Sequence, residues 1–108
     1  MADVYNKLAS LRPANTNEAE LYQVPASTEL IGNLMVCNQS AVERTYRIAF
    51  TDSAGAATSD EWIRYDVPLL ANLSHDIGPI SLGAGDTIRV RSGTADAVSF
   101  VLTGVLIT

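Results

Sequence analysis

The stretch that decides the fold is Thr28–Asn38, read as TELIGNLMVCN. Leu30, Leu34 and Val36 fall on one alternation phase; Ile31, Met35 and Cys37 fall on the other. Successive side chains of a strand point to opposite faces, so this segment expects cover on both sides. Among the other apolar segments only the C-terminal one shares this two-faced character. Thr28–Asn38 is therefore read as a central strand against which the others assemble.

Working outward, Glu20–Val24 makes a short strand that Pro25 ends, because proline cannot donate to a ladder. Thr45–Thr51 alternates, with Tyr46, Ile48 and Phe50 inward and Thr45, Arg47 and Ala49 outward. Glu61–Val67 carries Trp62, Arg64 and Asp66 on one phase and Ile63, Tyr65 and Val67 on the other, and stops at Pro68. Leu73–Ile77 and Ile80–Leu82 read as one strand interrupted at Gly78–Pro79 by a bulge or an edge position. Gly83–Asp86 is a turn signal leading into Thr87–Ser92, where Ile88 and Val90 alternate with Arg89 and Arg91. Val98–Thr108 closes the chain, with Val98, Phe100, Leu102 and Leu106 on one phase and Val101, Thr103, Val105 and Ile107 on the other. About seven strands, with no convincing helix after Glu18, predict an all-β fold: an antiparallel β-sandwich of jelly-roll-like connection.

Residues 1–18 differ in character and read as an N-terminal arm preceding a β-sandwich domain over residues 19–108. Val4, Leu8 and Leu11 sit at i, i+4 and i+7, the spacing of one short helical face, but the segment is too short to hold a helix alone. It reads either as a flexible leader or as an arm that orders against a neighbouring subunit through Val4, Tyr5, Leu8 and Leu11.

The 108 residues include 7 basic and 12 acidic side chains, a formal charge of −5. This balance weighs against nucleic-acid binding, which uses basic patches to neutralise phosphates, and against electrostatic attachment to a membrane. Cys37 is the only cysteine, so no intrachain disulfide forms, and it is expected as a small buried apolar group. The opening MADVYNKLAS lacks a basic-then-apolar targeting pattern, and the expectation is synthesis in a cytoplasm.

Chemistry is hard to find. His75 is the single histidine, expected as an exposed or rim residue near a turn, and its neighbours Ser74 and Asp76 would point to the opposite face of a strand. No catalytic triad, zinc spacing or alternating calcium-loop pattern is present, so no catalytic residue, metal or cofactor is expected. Asn38-Gln39-Ser40 and Asn72-Leu73-Ser74 match a glycosylation acceptor by accident of composition. Arg89 and Arg91 are expected on a solvated outer face or beside an acidic neighbour. Trp62, with Arg64 and Asp66, is the one candidate for a ligand or partner contact.

Several phrases together resemble a loose group of small bacteriophage virion structural proteins. They are Leu21–Ala26, Val36–Ser40, Tyr46–Ala49, Tyr65–Leu69, Leu82–Val90 and Ser99-Phe100, which span Leu21 to the C-terminus and leave the first residues unmatched. The resemblance implies a non-enzymatic β-sandwich made in the host bacterial cytoplasm and carried on the virion, as capsid decoration or at the tail or baseplate. It implies other virion proteins as partners and self-association as a homo-oligomer, with a trimer or higher ring expected. On this reading, removing residues 1–18 is expected to leave a folded sandwich that no longer joins the particle. The alternative is a carbohydrate- or receptor-binding module on a phage fibre.

Overall fold

The computed structural model describes residues 4–52 and 55–108. Eight strands follow in order: β1 (Asn6–Leu11), β2 (Ala19–Gln23), β3 (Glu29–Asn38), β4 (Arg44–Thr51), β5 (Trp62–Leu69), β6 (Ser74–Leu82), β7 (Thr87–Ser92) and β8 (Val98–Ile107). They form two four-stranded antiparallel sheets, β1-β8-β3-β6 and β2-β7-β4-β5. The pairs nest: β1 with β8, β2 with β7, β3 with β6 and β4 with β5. Pairs β3–β8 and β4–β7 then close each sheet. No helix of the described residues is long and apolar enough to cross a membrane.

The inward phases of both sheets meet in one core. Leu30, Leu34, Val36, Phe100 and Leu102 come from the first sheet and Tyr46, Ile48, Ile88 and Val90 from the second, all at most 1% exposed. Tyr46 and Phe100 cross the gap edge to face, with centroids 6.3 Å apart, an arrangement aromatic pairs prefer to a sandwich stack. Tyr46 also reaches His75, its hydroxyl 2.8 Å from Nδ1, so β4 and β6 are tied across the sandwich. Burial pushes the Tyr46 hydroxyl up from its ordinary value, against a smaller lowering by Arg64.

Three sequence expectations change. The strand count is eight, because Asn6–Leu11 is a strand of the first sheet, paired with β8 of its own chain. Residues 4–11 thus form neither a helical face nor a free leader. A register shift between Lys7 and Ala9 lets Leu8 and Ala9 both pack on the core, which breaks the alternation a strand would otherwise display. Met1–Asp3, the start of the expected arm, lie outside the described residues.

Second, β3 is interior to its sheet, as a central strand should be, yet only its Leu30–Asn38 phase is covered by this chain. Ile31 and Met35 remain 40% and 43% exposed, and Cys37 is half-buried on the same outer side instead of buried. Third, β5 does not keep one alternation. Register shifts on both sides of Ile48 and a positive φ of 50° at Asp66 bring Trp62 and Tyr65 together. Gly78–Pro79 falls within β6, an edge strand, beside a register shift at Gly32/Leu34.

Candidate functional site

The two outer faces of the sandwich differ in chemistry. Sheet β2-β7-β4-β5 turns out a row of arginines, because Arg47 and Arg91 oppose each other across β4–β7 and Arg89 lies one outward position along. Each has a partner. Arg47 donates through Nε and an η-nitrogen to both carboxylate oxygens of Asp66, at 2.7 and 3.0 Å. This fork holds the Asp66 carboxyl below its ordinary range, first through the hydrogen bonds and then through the guanidinium charge.

Arg89 pairs with Glu18, both side chains largely shielded, and Glu18 also accepts from the backbone N–H of Ala57 at 2.9 Å. Arg91 donates to the Thr16 carbonyl at 2.7 Å, and the Asp96 N–H donates to the Pro13 carbonyl at 2.9 Å. Residues 13–18 are therefore strapped to their own sandwich. Arg89 has the acidic neighbour that its position allowed for. Sequence reasoning missed Glu18, whose only signal was an acid next to the first strand of period two.

The expected trio Trp62, Arg64 and Asp66 does not assemble as one surface. Arg64 turns back to its neighbour's carbonyl, Ile63 O, at 2.9 Å. The group that does assemble is Trp62, Tyr65, Arg47 and Asp66. Trp62 and Tyr65 meet edge to face at 5.7 Å, and the Arg47 guanidinium lies 3.8 Å over the Tyr65 ring. A shallow depression of about 390 Å³ beside them is lined by Ser59, Trp62 and Tyr65. The arginine satisfies the carboxylate and one aromatic face together, so the group is a local staple across the β4–β5 bulge.

The outer face of sheet β1-β8-β3-β6 has an apolar centre on β3 and β8, crossed by a polar row and flanked by polar edge strands. Reading along the strands, Ile31 lies between Val105 and Ser81, Asn33 opposes Thr103, and Met35 lies between Val101 and Asp76. Tyr5 lies over this face, its hydroxyl accepting from Asn33 Nδ2 at 3.0 Å and standing 3.3 Å from Thr103 Oγ1. The four residues expected of an assembly arm thus divide. Leu8 and Leu11 turn to the core, whereas Tyr5 lies on the outer face and Val4 is 63% exposed.

His75 opposes Val36 on the inward phase, whereas Ser74 and Asp76 oppose Cys37 and Met35 on the outer phase. These three side chains cannot converge on one substrate. Among the described residues no group of three potential metal ligands comes together. The acceptor-like Asn38 is 1% exposed, its amide spent on backbone carbonyls. No protein-family model matches the chain, and no curated protein matches it.

Proposed function

We propose that the sandwich is a jelly roll and that the protein is a non-enzymatic structural subunit of a bacteriophage particle, on the capsid as cement or decoration or at the tail or baseplate. One observation carries the reading: the nested pairing of first strand with last, second with seventh, third with sixth and fourth with fifth. That connection pattern supports a rolled-up double Greek key, the architecture used by viral capsid and lectin domains. Fold alone does not assign function, so the reading also leans on the resemblance of Leu21 to the C-terminus to phage virion proteins. The uncovered apolar phase of β3 supports it further, since a subunit that completes its burial by assembling leaves such a face.

Its working parts are surfaces: a homo-oligomeric contact and a contact with other virion proteins. The lectin-like alternative, a glycan or receptor module on a fibre, would use Trp62 and Tyr65. Arg47 lies over the Tyr65 ring on which a sugar would stack, and this favours the structural reading. Quantitative mass spectrometry of purified particles tests it. The protein is expected at a fixed copy number relative to the major capsid or tail protein. Its absence from purified particles, with expression demonstrated in the infected host, overturns the proposal.

A further inference from the structure

We infer that the outer face of sheet β1-β8-β3-β6 is the contact between two copies of this chain, related by a two-fold axis running along the strands. The inference rests on the reading of the chain as an assembling subunit and names the surface and partner that reading leaves open. Its test needs no particle, so its failure is separate from a failure of the virion assignment.

The centre of the face is apolar and uncovered. Ile31, Met35 and Ile107 are 40%, 43% and 36% exposed, Tyr5 is 54% exposed, and Val101 and Val105 lie half-buried among them. The other face of the molecule carries its arginines and their acidic partners, and a strap of residues 13–18 lies over it. Four strands at ~4.8 Å spacing and ~3.3 Å per residue over ten residues present roughly 600 Å². Two copies stacked on it would bury about 1,200 Å², the lower end of the range for specific interfaces. A smaller ligand would leave most of this face wet.

Charge selects a second copy as the occupant. The chain is strongly acidic, yet the strands of this face hold three charges: Glu29 at the exposed end of β3, and two at opposite edges. Lys7 opposes Thr103 on edge strand β1, and Asp76 opposes Met35 on edge strand β6. A two-fold axis parallel to the strands lays the β1 edge of each copy over the β6 edge of the other. Lys7 of one copy then comes within one side-chain row of Asp76 of the other, and the pair forms twice. An axis perpendicular to the strands would stack β1 on β1 and lose both pairs. In the polar middle row the Asn33 amide donates to the Tyr5 hydroxyl, which stands beside Thr103 Oγ1, so part of its hydrogen bonding is met within the chain. The sheet edges stay free for any ring contact.

Sedimentation velocity on the full chain across a concentration series tests this. The wild type is expected as a reversible dimer at tens of micromolar. Met35→Lys is expected to give monomer with an unchanged circular dichroism spectrum, because the side chain is exposed and the core is untouched. Lys7→Glu and Asp76→Lys alone should each weaken the dimer roughly tenfold, since an attraction becomes a repulsion at two symmetric places. The double variant K7E/D76K should recover to within about threefold of wild type. A wild-type monomer at the highest concentration overturns the inference, as does an oligomer that Met35→Lys leaves intact. Failure of the double variant to recover overturns the two-fold register.

Discussion

Asn38 offers the sharpest test of how this sandwich is held at one end. It is the last residue of β3, 1% exposed, and it sits between two loops. Its Nδ2 donates to the carbonyls of Val42 and Leu69 at 2.9 Å and to that of Leu70 at 3.3 Å. Its Oδ1 accepts from the Ser40 N–H at 2.9 Å and from the Ser40 hydroxyl at 2.8 Å. One amide thus ties the β3–β4 turn to the end of β5.

Replacing it by alanine removes all of these together. A buried hydrogen bond contributes ~1 kcal/mol net, and a buried polar group left unpaired costs ~1–3 kcal/mol. Ser40 and Val42 can turn to water, but Leu69 is fully buried, so its carbonyl loses this donor with no water to replace it. Together these set the expected loss for Asn38→Ala at about 3 kcal/mol. For a domain of this size that is a drop in Tm of roughly 12 °C. Urea unfolding followed by circular dichroism measures it. Ser40→Ala, which takes away one partner only, should cost about 1 kcal/mol or less. Asn38→Asp keeps the shape but removes the donor, and burial raises that carboxyl, so its deficit should grow as pH rises above ~4. A loss under about 1 kcal/mol for Asn38→Ala would refute the reasoning, because water would then be replacing the amide at no cost.

Glu18→Ala should strand the largely shielded Arg89 and free the Ala57 N–H, costing roughly 2 kcal/mol. It should also speed proteolysis within residues 13–18, read by mass spectrometry of the fragments. Hydrogen bonds from Arg47 hold the Asp66 carboxyl down, and hydrogen bonds from Thr58 do the same for Asp60 and Glu61. A lowered folded-state value stabilises above the ordinary carboxylate value of ~4, and that stabilisation is lost as pH falls through the folded value. Melting curves should therefore show stability falling in acid, with a shallower fall for Asp66→Asn. Deleting residues 1–12 removes β1, unpairs one edge of β8 and takes Leu8 and Leu11 off the core. The truncated chain should lose about 3 kcal/mol or more, counting ~1 kcal/mol for each half-buried leucine and the rest for the lost ladder. A truncation that melts like the full chain would count against β1 as a sheet strand.

The strands from Glu20 onward were legible because one rule, period two, governs them. Tyr46, Ile48, Phe100 and Leu102 point where their alternation says. The rule fails wherever a bulge adds a residue. At Lys7/Ala9 the shift turns Leu8 and Ala9 to one side, which hides β1 behind an apparent helical spacing. Around Asp66 it separates Trp62 from Arg64 and brings Trp62 to Tyr65. Arg47 belongs to that group through a contact 19 residues away in sequence, and Glu18 meets Arg89 across 71. No local pattern announces such pairs. The two apolar phases of Thr28–Asn38 call for cover on both sides. Within this chain one phase is covered, and the other is the surface assigned to a second copy.

The central claim is that this protein is a structural part of a phage particle. Gold-labelled antibody imaged on intact particles tests it most directly. Label at regular positions over the head or at the tail is the predicted result, and the position would separate capsid decoration from a tail or baseplate part. Unlabelled particles, when the same antibody binds the folded protein added to the same preparation and no copy is detected in disrupted particles, would contradict it.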